Sequence, residues 1–249
     1  VSDLTVVAKT LLRPEKCRAM LVSLREHFDG PVVVADDGGD QTYPWVGDGL
    51  DVEWLTFPYD AGIGHCLNKV MADHVHTPYV ALLDDDFLVT ERTDMARWIP
   101  FIEHGVYDIV GGSVCKTSDG KEQCYVGTFE WGTRGTERTL TLTRLMVRGM
   151  TEPLGGLDIV MNFFAASLET LRAIGWDESL KVHRHEDWFL RARSLGFTVG
   201  YHPGVQVMHD GDTPPYPSAE YRDLRRKRIP EYRQIFLDKW GLTSEGLKL

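Results

Sequence analysis

Tyr79-Val80-Ala81-Leu82-Leu83 is an unbroken apolar run that ends on three adjacent carboxylates, Asp84-Asp85-Asp86. A run this short, bounded by Pro78 and by acids, reads as a buried strand, and buried strands of this kind belong to sheets covered by helices. In open α/β sheets ligands collect outside the carboxyl ends of the strands, which is where the triplet falls. Adjacent carboxylates repel one another. The triplet is therefore either a solvated turn or helix cap, or the ligand of a divalent cation whose shell is completed by phosphate oxygens.

The preceding chain repeats this pattern. Leu4 to Ala8 reads as a strand that ends at Lys9-Thr10-Leu11-Leu12-Arg13, and Pro14 is placed to open a helix through Cys17, Leu21 and Leu24. Pro31 to Ala35 is a second strand, ending in Asp36-Asp37-Gly38-Gly39. Those acids either accept hydrogen bonds from a base or ribose or make a plain Asp-Gly turn. Val52 to Phe57 is a third strand, followed by Asp60-Ala61-Gly62-Ile63-Gly64 at the start of a helix that turns Leu67, Val70 and Met71 inward. Its first turn, at Gly64, suits a phosphate with Asn68 or Lys69 as donor, although the spacing is neither GxGxxG nor a P-loop. The order strand, helix, strand, loop, strand, helix, strand predicts an α/β fold with a mostly parallel sheet flanked by helices.

Further on, residues 91–103 read as one helix with Met95, Trp98, Ile99 and Ile102 on its core face. Tyr107 to Val110 reads as a strand running into Gly111-Gly112. Residues 119–139 are a hairpin or a substrate-side loop, and residues 141–150 a further strand. Gly155-Gly156, beside Asp158 and Asn162, is a flap over the crevice or an ordinary turn. A strand through Phe163, Phe164 and Ala165 leads to a helix over 167–174. In His183-Arg184-His185-Glu186-Asp187-Trp188, Glu186 and Asp187 fall in the first turns of a helix, whose field keeps them ionised. Such a carboxylate is a general base if it faces a crevice and only a cap if it does not. Residues 197–201 and 205–208 read as two short strands, the second presenting His209. One imidazole with carboxylates of the triplet makes a mixed N/O site for Mn²⁺ or a similar ion. The tail, from Ser218 as helix cap to Gly241 as stop, carries Arg222, Arg225, Arg226, Lys227 and Arg228, for which pairing with surface acids is the simpler role and phosphate contact the other.

A formal charge of -10 over 249 residues argues against nucleic acid or anionic membrane as the main partner, so phosphate binding has to be local. Cys17, Cys66, Cys115 and Cys124 form no zinc spacing and read as free or as a single bridge. No apolar run approaches the roughly 20 residues of a membrane span, and no signal peptide precedes Val1. The chain divides loosely into a nucleotide half (1–114), an acceptor half (115–215) and a helical tail (216–249).

In this order, strand-end polar groups, the Asp triplet, an acidic helix and a strand-end His resemble a metal-dependent glycosyltransferase of the GT-A fold, with Asp84-Asp85-Asp86 similar to its DxD motif. More narrowly, Leu83 to Phe87, Asp108 to Val114, Asp158 with Asn162-Phe163-Phe164, and His185 to Leu190 resemble the β-1,4-N-acetylgalactosaminyltransferases of the GM2/GD2 synthase-like type. The Glu186-Asp187 pair is closer to bacterial family 2 transferases. The resemblance implies a single GT-A domain using Mn²⁺ (or Mg²⁺) and a UDP-sugar, with UDP-GalNAc the expected donor and a galactosyl-terminated glycan or glycolipid the expected acceptor. It implies Asp84 or Asp85 at the nucleotide, Asp86 and His209 on the metal, Asp36 on uridine with Thr10 and Arg13 lining the same pocket, and Asp187 as base of an inverting transfer. Asp158, Asn162, Trp188 and Glu186 are expected at the acceptor. A bacterial or viral relative would work in the cytoplasm or at the inner membrane face, an animal one in the Golgi lumen. Two rival readings stay open: a nucleotidyltransferase, and a nonenzymatic carbohydrate-binding module with Phe129, Trp131 and Trp188 as aromatic platforms.

Overall fold

The computed structural model describes residues 3–40, 43, 45–46, 49–117, 122–123, 126–210 and 218–249. In chain order the elements are β1 (Leu4–Thr10), α1 (Pro14–Arg25), β2 (Val32–Asp36), β3 (Glu53–Thr56), α2 (Ile63–Asp73), β4 (Tyr79–Asp84) and β5 (Phe87–Leu88). A 3₁₀ turn (Met95–Trp98) then leads into α3 (Ile99–Glu103), followed by β6 (Ile109–Lys116), β7 (Glu122–Gln123), β8 (Val126–Arg134), β9 (Glu137–Leu145), β10 (Leu154–Leu157) and β11 (Phe164–Ser167). The chain continues with α4 (Leu168–Ile174), α5 (Arg184–Ser194), β12 (Val199–His209), α6 (Ala219–Trp240) and β13 (Leu247–Lys248).

The main sheet runs β10-β12-β6-β11-β4-β1-β2-β3, with β5 on β12 and β7 on β6. Strands β1 to β4 are mutually parallel, and β6 and β12 are parallel to each other. Only β11 stands between these groups, antiparallel to both β4 and β6, so β6 and β12 point the same way as β4. The consequence is geometric: Thr10, Asp36, Asp84 and His209 all end strands at one edge of one sheet. This sheet also crosses the 114/115 division expected above, because β6 spans it.

Alternation along the strands builds the core on both faces. Val6, Ala8, Val32 and Val34 pack with Cys17, Met20, Leu21 and Leu24 of α1 and with Trp98. Val7, Val33 and Ala35 pack with Cys66, Leu67 and Val70 of α2, Leu171 and Ile174 of α4, and Phe189 of α5. Cys17 and Cys66 are free and buried and Cys115 is buried; Cys124 lies outside the described residues.

Several expectations are corrected. The helix over 91–103 begins only at Met95, because Thr93 Oγ1 accepts from Thr90 N at 2.9 Å and so offers the backbone a turn in place of a helical ladder. Part of the ambiguous 119–139 stretch is a hairpin, β8–β9, turning at Gly135 with φ +63°. The two strands expected at 197–201 and 205–208 are one, β12, with a register shift between His202 and Gln206 where Pro203-Gly204 intervenes. Gly155-Gly156 is not a flap but lies in β10. A Cβ on Gly155 would come within 2.7 Å of the Tyr107 ring, so glycine is what lets these segments touch. Ser218 caps α6 and Gly241 ends it at φ +62°, as expected. Among the described residues no helix is long and apolar enough to cross a membrane.

Candidate active site

The ends of β1, β4 and β12 open onto one crevice of about 530 Å³, walled by the first turns of α2 and α5 and by one side of α6. Lys9, Arg13, Lys181, Arg184, Arg225 and Arg228 line it, against the acids Asp84, Asp85, Asp86 and Glu186, with His183, His185 and His209 between them. Four of these cations are already paired, Arg13 with Asp85 and Asp86, Lys9 with Asp37, and Lys181 and Arg228 with Asp60, which leaves Arg184 and Arg225 as the crevice cations with no ion pair among the described residues.

The triplet is held by three elements. β5 pairs with the end of β12, Phe87 opposite His209, which brings His209 Nε2 to 3.5 Å from Asp86 Oδ2. Arg13 follows Leu12, whose backbone is left-handed (φ 56°). Its guanidinium reaches across the strand ends: Nη1 donates to Asp86 Oδ2 at 2.6 Å, Nε to Asp85 Oδ2 at 3.2 Å, and Nη2 to Asp85 Oδ1. Thr10 Oγ1 also donates to Asp85 Oδ2, at 2.7 Å, and Tyr221 of α6 lies 5.1 Å over the guanidinium. Electrostatically the three acids part company. Burial, helped by Asp86, pushes Asp84 up to about 6. Burial also raises Asp85 in spite of Arg13. At Asp86 the burial penalty is outweighed by His209 and Arg13, and the carboxyl is drawn down to about 2.

Asp86 and His209 thus present an ionised carboxylate and an imidazole side by side, a donor pair that suits Mn²⁺ or a similar borderline ion. Among the described residues no third His, Cys, Asp or Glu completes a cluster. The pair would offer two protein ligands to such an ion, and Arg13 Nη1 bonds the same Asp86 Oδ2 that faces His209.

The acidic helix divides differently from expectation. Glu186 lines the crevice, 3.8 Å from His183 Nδ1. Burial would raise its pKa, but His183, His185 and the backbone at the helix start bring it down to about 2, so the group is ionised. Its neighbour Asp187, the expected base, points elsewhere: it is 1% exposed, 2.7 Å from Lys239 Nζ, and accepts from Trp240 Nε1 at 3.0 Å. Successive helical residues point about 100° apart, so one carboxylate faces the crevice and the other faces α6. His183 itself sits at φ 58°, a strained non-glycine cap at the crevice wall.

The remaining expected residues sort by contact. Asp36 is buried at the end of β2; Oδ1 accepts from Gly38 N at 2.8 Å, while Oδ2 is buried without a partner among the described residues. Burial raises its pKa against that backbone bond. Asp37 is spent on the scaffold, with Lys9 Nζ at 2.5 Å and Gly62 N donating at 3.0 Å. Gly64 does not line the crevice; a Cβ there would stand 2.8 Å from the Asp177 carbonyl oxygen, so its role is close packing. Asn68 brackets the same segment, donating to Trp176 O at 2.9 Å and accepting from Trp176 N at 2.8 Å, and Lys69 pairs with Asp73. Asp158 accepts from Phe129 N at 2.7 Å and pairs with Arg193 at 2.9 Å, away from the crevice. Asn162 does line it, with Nδ2 3.4 Å from Asp84 Oδ2. Trp188 and Phe129 are core residues, each 2% exposed, and so provide no exposed platform for a sugar; Arg138 covers the Trp131 ring at 3.9 Å.

Sequence reasoning missed Lys9, Lys181, Arg184, His183 and His185, and set aside Arg225 and Arg228. For the last two a signal was present: Tyr221, Arg225 and Arg228 recur at helical spacing and share one face of α6.

No protein-family model matches the chain. Mouse beta-1,4 N-acetylgalactosaminyltransferase 2 is 33% identical over 217 residues, covering 85% of this chain and 40% of that protein. The solved structure of GalNAc-T7 with UDP, GalNAc and Mn²⁺ superposes at a TM-score of 0.64 with 13% identity, covering 95% of this chain and 50% of that one. The chain has the GT-A fold and is related in sequence to the N-acetylgalactosaminyltransferases. A second solved neighbour, the Pyrobaculum calidifontis mannosyltransferase PcManGT in complex with GDP-Man and Mn²⁺, superposes at 0.59 with 16% identity, covering 95% of this chain and 64% of that one. At such identities the two superpositions speak for the fold alone. This GT-A domain spans less than half the length of the curated relative it matches.

Proposed function

We propose that this domain catalyses an inverting, divalent-metal-assisted transfer of a sugar from a UDP-sugar, with UDP-GalNAc as donor, to a hydroxyl of a galactosyl-terminated glycan or glycolipid. The observation that carries the reading is the meeting, in one crevice, of the Asp86–His209 pair and an ionised carboxylate, Glu186. Kinship to the mouse N-acetylgalactosaminyltransferase favours the donor sugar. Asp36 is the expected uridine contact: its Oδ2 has no hydrogen-bond partner among the described residues, but the side chain is buried and does not line the crevice.

A cation held by Asp86 and His209 would neutralise charge on the departing diphosphate. The chain's own groups do the rest. Arg184 and Arg225, which have no ion pair among the described residues, supply the charge that holds the diphosphate, and Arg13 keeps Asp85 and Asp86 aligned. Glu186 takes the acceptor hydroxyl's proton as that oxygen bonds to the sugar C1 and the bond from C1 to the diphosphate oxygen breaks, which inverts the anomeric centre. Base help of this kind is worth roughly 10²- to 10⁴-fold. His183 beside Glu186 keeps the carboxylate ionised until the acceptor arrives.

A second reading keeps the reaction and changes the donor to UDP-glucose, UDP-galactose or UDP-GlcNAc in surface polysaccharide synthesis; it is favoured by the same fold carrying GDP-Man in the mannosyltransferase neighbour. A donor panel with Mn²⁺ separates the two, reading UDP release with and without β-galactosyl-terminated acceptors. Preference for UDP-GalNAc supports the first reading, and equal or better use of a plain hexose donor supports the second. Pyrophosphate release would mark a nucleotidyltransferase instead, and binding without turnover a carbohydrate-binding module.

A further inference from the structure

Three histidines line the crevice, and two are committed: His209 stands beside Asp86, and the Nε2–H of His185 donates to the Val160 carbonyl at 2.7 Å. The third, His183, is held where a side chain is disfavoured. Its φ of 58° is left-handed, a region that glycine enters freely and that a β-carbon makes unfavourable. A bulky residue kept there against that strain points to a use for its side chain. The side chain has two neighbours. Its Nδ1 lies 3.8 Å from Glu186 Oε2, and its ring packs against Phe236 of α6 with centroids 5.3 Å apart. His183 and Glu186 both line the crevice and are each 16% exposed, so an acceptor can reach the pair.

The two groups differ in how well they hold a proton. Against a burial penalty that would raise it, His183, His185 and the helix start draw Glu186 down to about 2. A carboxylate that acidic is a weak base alone, since general bases work best with a pKa near the working pH. An imidazole is ordinarily roughly a hundredfold more basic than a carboxylate. At 3.8 Å the pair is too far apart for a hydrogen bond, but a proton on Glu186 gives the carboxyl an O–H to donate across that gap. We infer that His183 is where the transferred proton comes to rest: the acceptor hydroxyl gives it to Glu186, and Glu186 passes it to His183 Nδ1. As the acceptor oxygen bonds to C1, the bond from C1 to the diphosphate oxygen breaks and its electron pair leaves with the diphosphate. The step ends with a carboxylate beside an imidazolium, which returns its proton to solvent. The inference rests on the transferase reading above and adds the group that makes a weak base effective.

The test measures UDP release, and calorimetric binding of UDP with Mn²⁺, for the whole chain as wild type, His183→Gly and His183→Asn. Glycine and asparagine both accept a left-handed backbone, and thermal melts check that each variant is folded. In both, kcat should fall about 10- to 100-fold, while KM for the donor and Kd for UDP stay within about threefold. At about pH 8, where free imidazole is neutral, added imidazole can enter the space that glycine leaves and should raise the turnover of His183→Gly at least about fivefold. Pyrazole, which has the same shape and is far less basic, should not. If His183→Gly is unfolded, His183→Asn carries the test through its loss of kcat at unchanged KM. Full turnover in the variants, a loss that pyrazole repairs as well as imidazole, or a loss in folded His183→Gly that neither repairs would overturn the assignment and leave the transferase reading in place. A wild type that releases UDP from no UDP-sugar would overturn the transferase reading, and the role of His183 with it.

Discussion

Replacing Glu186 by Gln and, separately, Asp187 by Asn distinguishes the two neighbouring carboxylates by their different jobs. Glu186→Gln keeps the size and the helix position but removes the proton acceptor from the crevice. A lost general base costs roughly 10²- to 10⁴-fold in turnover, equivalent to about 3–5 kcal/mol of barrier, while the Kd for UDP with Mn²⁺ should stay within about threefold. Asp187→Asn removes a buried carboxylate from Lys239 Nζ (2.7 Å) and weakens the acceptor of Trp240 Nε1 (3.0 Å). An orphaned buried charge costs about 3–5 kcal/mol. Lys239, however, keeps Asp177 at 2.5 Å, so about 1–3 kcal/mol is the expected loss. For a chain of this length that is a fall of about 2–12 °C in Tm, with turnover per folded molecule little changed. Single-turnover UDP release and thermal melts on both variants supply the readout. A folded Asp187→Asn that loses turnover a hundredfold, beside a Glu186→Gln near full rate, would refute the assignment of the base.

Asp86→Asn should abolish calorimetric Mn²⁺ binding in the presence of UDP, and His209→Ala should weaken it at least tenfold; unchanged binding in both would move the metal elsewhere. Arg13→Met leaves three adjacent carboxylates without the cation that now bonds two of them, so the metal-free protein should melt several degrees lower and regain most of that on adding Mn²⁺. Burial lowers His185 from 6.5 to about 4, with Nε2 held to the Val160 carbonyl at 2.7 Å. A depressed pKa stabilises the fold above 6.5 and loses that contribution as pH falls through 4, at most on the order of 3 kcal/mol. Asp84 works in the opposite sense, since its pKa is raised from 3.8 to about 6 and its contribution, present below 3.8, is lost as pH rises through 6. His185→Gln should therefore lose less stability than the wild type between pH 6.5 and 4, as read from melts across that range; parallel curves would contradict the half-buried, neutral imidazole.

Much of the fold was legible because the cues are local. Buried apolar runs, Pro14 at a helix start, and Ser218 and Gly241 at a helix's ends each follow from the chemistry of a few consecutive residues. The stretches that misread are those where side chains compete with the backbone or where distant segments press together. Thr93 bonding back to Thr90 shortened a helix, and Tyr107 against Gly155 turned an expected flap into a strand.

The site shows the same division more sharply. Residue type and strand-end position were enough to nominate Asp84 to Asp86, Asp36 and His209, and the family resemblance added Thr10 and Arg13, because a parallel sheet delivers the ends of its strands to one edge whatever lies between them. Which neighbour faces the crevice was beyond the sequence: Glu186 and Asp187 are equally acidic and equally placed in a first turn, and only the packing of α6, with Lys239 and Trp240, claims Asp187. The same helix carries Arg225 and Arg228 from the far end of the chain to the crevice, a placement set by long-range packing. Asp37, Gly64 and Asn68 were credible binders until the fold bound them to Lys9, Asp177 and Trp176. The sequence by itself determined which chemistry is available at the sheet edge. The tertiary structure decided which groups keep their hydrogen-bonding capacity for a ligand, because that depends on which buried partners reach them first.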